Sequence, residues 1–162
     1  MRSATDPRDL QRLDRQLCFA LYSSSLLMTK MYKPVLAPLG LTYPQYLVML
    51  VLWEHDAQDQ APRAPLVVGE LGERLYLDSG TLTPLLKRLE AAGLIVRARA
   101  AEDERRVTLA LTDAGRALQR RAADVPKQVA CATGCRLSEI SELTTQLQAL
   151  RDNVASHLAL AA

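Results

Sequence analysis

The segment from Val68 to Leu111 limits the possible folds more than any other part of the chain. Val67-Val-Gly-Glu-Leu-Gly-Glu-Arg-Leu75 spaces its apolar residues for a short helix. Asp78-Ser79-Gly80 is a turn that caps the next helix. That helix gathers Leu82, Leu85, Leu86 and Leu89 on one face and shows Thr81, Thr83, Pro84, Lys87 and Arg88 on the other. Pro84 removes a backbone donor, so it belongs within the first turn or two. Gly93 stops the helix. Leu94–Arg99 and Arg106–Leu111 then alternate in hydropathy on either side of a charged stretch from Ala100 to Arg105, which predicts a hairpin.

The flanking sequence is helical. Asp6-Pro7 starts a helix that carries Leu10, Leu13, Leu17, Leu21, Met28 and Met31 to about Val35, before Pro38 and Gly40. Thr42 caps a second helix with Pro44 in its first turn, and the body from Tyr46 to Trp53 is apolar all round. Residues 57–65 form a polar, proline-bearing loop. Thr112 caps a long helix running to about Ala130. Ser138 caps the last helix, where Ile140, Leu143, Leu147, Leu150 and Val154 recur at alternating spacings of three and four. The order is helix, helix, short helix, helix, hairpin, helix, helix. The expected fold is mainly α with a small β-hairpin: a winged helix-turn-helix.

At 162 residues the chain is one domain. Within it, 42–111 is the winged lobe, and 1–41 and 112–162 are helices whose long apolar stripes have no obvious partner. Packing against a second copy buries them most simply, and a two-fold homodimer suits palindromic DNA.

Composition removes several classes. The longest uncharged apolar run, Tyr43–Trp53, is too short to span a membrane, and Arg2, Asp6, Arg8 and Asp9 precede any apolar stretch, which argues against a secretory signal. Three cysteines, an odd number with Cys18 far from the other two, do not make a disulfide framework. A cytoplasmic protein without a membrane partner is expected. Net charge is only +2, but its distribution is uneven. Lys87, Arg88, Arg97, Arg99, Arg105, Arg106, Arg116, Arg120 and Arg121 face Glu90, Glu102, Asp103, Glu104 and Asp113, leaving 87–121 at +4 and the remainder at −2. Such a patch fits an anionic polymer; taken alone it equally describes a solvated surface.

Val68–Leu75, Leu77–Glu90 and the wing segment Asp103-Glu-Arg105-Arg106-Val-Thr-Leu-Ala-Leu-Thr112 resemble the MarR family of bacterial transcription regulators, from about Leu10 to the C-terminus. Leu17-Cys18-Phe-Ala-Leu-Tyr22, with Tyr32 and Tyr43 downstream, is similar to that family's organic-hydroperoxide-sensing branch, the OhrR type. The 57–65 loop is longer than the family pattern and is expected to protrude.

A helix in the major groove needs short polar donors at its N-terminal end and cations to hold phosphates. Ser79, Thr81 and Thr83 supply the first, and Lys87 and Arg88 the second. The resemblance implies that Arg105 enters the minor groove, with Arg106 beside it and Asp103 placed to orient the guanidinium. Glu102 and Glu104 repel phosphate, so the tip is not a purely electrostatic anchor. The expected partner is double-stranded operator DNA.

Cys18 lies on an apolar helix, where a buried structural thiol is the commoner fate of a lone cysteine. Its neighbours point elsewhere. Tyr22 is one turn along. Tyr32 is fourteen residues away, roughly 21 Å along a straight helix, and reaches a Cys18 only from an antiparallel partner helix. Tyr43 opens the second helix. Phenol hydroxyls donating to sulfur favour thiolate, the nucleophile toward peroxide, and an apolar lining favours organic hydroperoxides. The resemblance to the two-cysteine subclass implies that Cys131 of the partner subunit resolves the oxidised Cys18, with Cys135 a spectator. His55 and His157 do not stand at zinc-ligand spacing, so neither metal nor cofactor is expected.

The reading is a dimeric transcriptional repressor that releases DNA when organic hydroperoxide oxidises Cys18. A MarR-type regulator of a phenolic or other small ligand, with incidental cysteines, is the alternative. An enzyme is not expected, because a thiol oxidoreductase would call for Cys-x-x-Cys or a βαβ pattern. A coiled-coil adaptor leaves the wing unexplained.

Overall fold

The computed structural model describes residues 11–57, 65–99 and 106–161. The Asp6-Pro7 helix start, most of the 57–65 loop, and the hairpin tip with Asp103 and Arg105 lie outside the described residues. The chain divides into two compact units between Ala123 and Asp124.

The first unit carries α1 (Leu17–Leu36), α2 (Tyr43–Ala57), β1 (Leu66–Val67), α3 (Val68–Leu75), α4 (Ser79–Ala91), β2 (Ile95–Arg99), β3 (Val107–Leu111) and α5 (Asp113–Arg121). Short 3₁₀ turns occupy Leu13–Arg15 and Ala37–Leu39. The second carries α6 (Val125–Thr133) and α7 (Leu137–Ala161). The strands make one antiparallel sheet in the order β1-β3-β2, with Ile95 opposite Leu111 and Arg99 opposite Val107. This is the expected winged helix-turn-helix.

Four boundaries differ from expectation. The first α-helix begins at Leu17, because Gln16 is extended (ψ 115°) after the 3₁₀ turn. Leu66-Val67 pairs with Leu109 and Thr108 as a third strand, too short to show alternation, so the short helix expected from Val67 starts at Val68. The long helix after Thr112 is broken at 122–124. Pro126 has no N–H for the Ala122 carbonyl, so α6 starts afresh with proline in its first turn. The last helix is capped at Arg136 and not Ser138: Glu139 accepts the Arg136 backbone N–H at 2.8 Å and its Nη2 at 2.7 Å.

The core of the first unit is aliphatic. Leu36, Val48, Met49, Leu71, Leu82, Leu86, Leu89 and Ile95 have almost no exposure. Gly72 lets α3 approach α4: a Cβ there would lie 2.9 Å from the Leu77 carbonyl and 3.2 Å from Leu82 Cδ1. Tyr76 takes a left-handed backbone (φ 55°) to turn between these helices, and Leu77 N–H closes on the Gly72 carbonyl at 3.0 Å.

Four elements meet at Gly115. The Trp53 indole N–H donates to its carbonyl at 2.9 Å in a buried bond. Thr112 donates its hydroxyl to Gly93 O at 2.6 Å and its N–H to Leu94 O at 3.1 Å. A Cβ on Gly115 would stand 2.2 Å from the Leu94 carbonyl oxygen. Gly115→Ala is therefore expected to destabilise the fold by about 2–3 kcal/mol through backbone displacement. Equilibrium urea unfolding checks it, with Ala114→Gly on the exposed side of the same turn costing about 1 kcal/mol or less as the control.

Candidate nucleic-acid interface and thiol site

The sequence fixes the outward face of α4 locally. Asp78 is its N-cap and accepts the Thr81 N–H at 2.9 Å and the Thr81 hydroxyl at 2.8 Å. Those bonds hold the Asp78 carboxyl below its ordinary range. Leu82, Leu86 and Leu89 face inward, and Ser79, Gly80, Thr81, Thr83, Pro84, Lys87 and Arg88 are all exposed. Pro84 sits in the second turn, where its missing N–H leaves the Gly80 carbonyl without its helical donor. All five predicted α4 residues thus share one solvent-facing surface.

The wing is tied to that helix by a pair the sequence reading missed. Arg97 on β2 donates through Nε and Nη2 to Glu90 Oε2 at 2.9 and 2.5 Å, and this pulls the Glu90 carboxyl down. Arg116 is likewise occupied, on Asp56 at 3.0 and 3.1 Å and on Asp113 at 3.4 Å. Among the described residues, Arg97 and Arg116 of the basic segment are therefore neutralised by carboxylates. Lys87, Arg88, Arg99 and Arg106 are exposed and form no ion pair among the described residues. A cleft of about 720 Å³, apolar with Val67, Leu77, Leu82, Leu86 and Val107 in its walls, lies between α3, α4 and the hairpin base, and Arg97, Arg106, Ser79 and Thr83 line it too.

Cys18 is in the first turn of α1 and exposed, and Tyr22 is exposed one turn on. Tyr32, on the same helix, stacks on Tyr43 with ring centroids 4.4 Å apart. Tyr46, not foreseen as part of this group, lies 5.9 Å from Tyr32 and 6.2 Å edge-on from Trp53. Its signal was its place one turn after Tyr43. Burial, with Tyr43 and Tyr46 alongside, pushes the Tyr32 hydroxyl up to about 12, and burial raises Tyr43 and Tyr46 as well. The three phenols stay protonated hydrogen-bond donors at neutral pH. One continuous helix holds Tyr32 roughly 21 Å along from Cys18.

Cys131 and Cys135 are exposed in the second unit. Cys131 lies on α6, but the helix ends at Thr133 and Gly134 is left-handed (φ 68°), so Cys135 is beyond it. The Cys135 thiol is turned back on the Thr133 carbonyl at 3.7 Å. On α7, Leu143, Leu147 and Val154 of the apolar stripe are exposed, as are Leu13, Leu17 and Leu21 near the other end of the chain. Leu10 lies outside the described residues. Among the described residues no group of three or more His, Cys, Asp or Glu is placed to hold a metal ion.

The raised Tyr32 phenol predicts that stability falls in alkali. Above pH 10, the ordinary tyrosine value, the unfolded chain loses phenolic protons that folded Tyr32 keeps up to about 12. The urea midpoint should decline across that window and decline less in Tyr32→Phe.

Residues 30–121 match the family described as transcriptional regulator SarA/Rot. The chain is 54% identical to an organic hydroperoxide resistance transcriptional regulator of Bacillus subtilis over 118 residues, 73% of this chain and 75% of that one. It is 48% identical to the HTH-type transcriptional regulator TtmR of Methylorubrum extorquens over 152 residues, covering 94% and 74%. Reduced AbfR bound to DNA superposes with a TM-score of 0.71 at 32% identity, over 93% of this chain and 99% of that one. AbfR has also been solved overoxidised on DNA (TM-score 0.69, 34% identity, 92% and 99% covered) and disulfide-formed (0.56, 38%, 88% and 95%).

Proposed function

The chain belongs to the MarR-like winged-helix transcriptional regulators, and on that premise we propose that it is a homodimeric repressor that senses organic hydroperoxides through Cys18. The observation that carries the reading is the exposed Cys18 and the protonated Tyr32–Tyr43–Tyr46 cluster standing at opposite ends of α1. An antiparallel partner helix brings each thiol to the other protomer's phenols. The exposed stripes at the chain's two ends supply the apolar surface for that pairing. Residues 1–41 and 112–162 are the dimerisation helices, and 42–111 is the DNA-binding lobe. The hydroperoxide specificity is drawn from the Bacillus subtilis relative, and a disulfide-forming state from AbfR.

In the reduced dimer Ser79, Thr81 and Thr83 enter the major groove of a palindromic operator, Lys87 and Arg88 hold phosphates, and the wing sends Arg105 into the minor groove with Asp103 and Arg106 beside it. Cys18 thiolate attacks the outer peroxide oxygen. The O–O bond breaks, the alcohol leaves with a proton, and Cys18 becomes a sulfenic acid. Cys131 of the partner subunit then attacks that sulfur and expels water, leaving an intersubunit disulfide. A shift of the terminal helices alters the spacing of the two α4 helices, which must match one DNA turn.

Cys18→Ser should bind operator like the parent and stay bound after cumene hydroperoxide. Non-reducing gels of treated protein should show a covalent dimer in the parent and in Cys135→Ser and none in Cys131→Ser. The reverse pattern names Cys135 as the resolving thiol. Arg105→Ala should weaken operator binding by about tenfold, and Lys87→Ala should lower the salt slope by about one for every sequence. A second reading, a regulator of a phenolic or other small ligand, is favoured by the apolar cleft under α4. Release of Cys18→Ser by the hydroperoxide would select it.

A further inference from the structure

The two threonines on the outward face of α4 have their hydroxyl protons committed before DNA arrives. The partner of the Thr81 hydroxyl is the Asp78 carboxylate, at 2.8 Å. An ionised carboxylate only accepts, and Asp78 is held in its ionised form, so the hydroxyl proton lies between Thr81 and Asp78. The partner of the Thr83 hydroxyl is the Ser79 carbonyl, at 2.7 Å. A carbonyl also only accepts, so that proton is committed as well. Each threonine is left with oxygen lone pairs and a methyl group toward solvent.

Their neighbours extend the pattern. Pro84 offers no N–H to the groove or to the Gly80 carbonyl one turn back, and presents an apolar ring. Donor capacity on this face is left to Ser79, whose hydroxyl makes no hydrogen bond among the described residues, and to Lys87 and Arg88.

We propose that Thr81 and Thr83 read the operator as hydrogen-bond acceptors and methyl contacts, selecting the amino groups of adenine or cytosine and the thymine methyl over the O6 and N7 acceptors of guanine. This deepens the DNA-binding reading above and rests on it, and it replaces the donor role expected of the two threonines from the sequence. In the major groove only adenine N6 and cytosine N4 present donors, and only thymine presents a methyl. Turning either hydroxyl outward to donate breaks an existing bond. The cost is larger at Thr81, whose bond is charge-assisted, than at Thr83, whose bond is to a neutral carbonyl. Thr81 is thus the stricter reader of the two.

The test starts from a duplex that the reduced full-length protein selects out of a randomised pool. Each adenine in it is replaced in turn by purine, which lacks the 6-amino group, and each cytosine by pyrimidin-2-one, which lacks the 4-amino group. A parallel series replaces purines by their 7-deaza forms, which lack N7. Affinities are measured for the parent, Thr81→Val and Thr83→Val. Valine keeps the shape and the methyl groups, and circular dichroism reports the fold. The expected result is that amino removal at particular positions costs the parent about fivefold to tenfold. That loss disappears in the matching valine variant and returns in Thr→Ser. A loss on N7 removal that disappears in a valine variant would make the threonine a donor and overturn the proposal. So would the lack of any amino position coupled to either threonine. Failure to select any duplex would overturn the DNA-binding reading itself, and the proposal with it.

Discussion

The contact between Gly115 and the Leu94 carbonyl is the constraint on which the rest of the winged unit depends. Only an absent Cβ allows it, since the atom would lie 2.2 Å from that oxygen. Around this point Thr112 ends β3, starts α5 and bonds the chain just before β2 through Gly93 and Leu94. Trp53 donates from the far end of α2 into the same turn. The hairpin root, the end of α4, the start of α5 and the long core helix are thereby fixed against one another at one place. The Glu90–Arg97 pair adds a second tie between reading helix and wing. Spreading these contacts over four elements gives the wing a defined direction relative to α4, which a hairpin of two five-residue strands would lack by itself.

The same helix that reaches this junction begins at the phenol cluster. Tyr43 and Tyr46 stand near the start of α2 and Trp53 near its end, with Tyr46 edge-on to Trp53. A helix buried along most of its length is a stiff connection. In the proposed mechanism this favours control by moving whole lobes over control by bending them. Oxidation then changes where the two reading helices stand and leaves each lobe's internal geometry alone.

Much of this was legible in the chain because the deciding signals are local. Asp78 and Thr112 cap the helices they were expected to cap, Gly93 ends α4, and the Leu82–Leu86–Leu89 stripe is buried. The misreadings share a different cause. The break at 122–124 turns on Pro126, whose signal is faint because apolar and basic residues continue on both sides of it. The last helix starts at a Glu139 side chain reaching back three residues, a weaker sign than a serine. β1 has two residues and exists only because β3 pairs with it. The occupancy of Arg97 by Glu90 and of Arg116 by Asp56 depends on tertiary approach, so a count of charges overstated the free cations. Tyr46 opens the stretch that is apolar all round and is buried as that pattern implies, but it also closes the phenol cluster; residue type alone does not separate those roles.

The most direct test follows operator binding by fluorescence anisotropy while the reduced protein is titrated with cumene hydroperoxide. A covalent switch at Cys18 predicts release that is complete near one equivalent per protomer, persists after the peroxide is removed by gel filtration, and is reversed by dithiothreitol. Release that needs a large excess, saturates like a binding isotherm and disappears on removing the peroxide would contradict the thiol mechanism and place control in a reversibly filled ligand site.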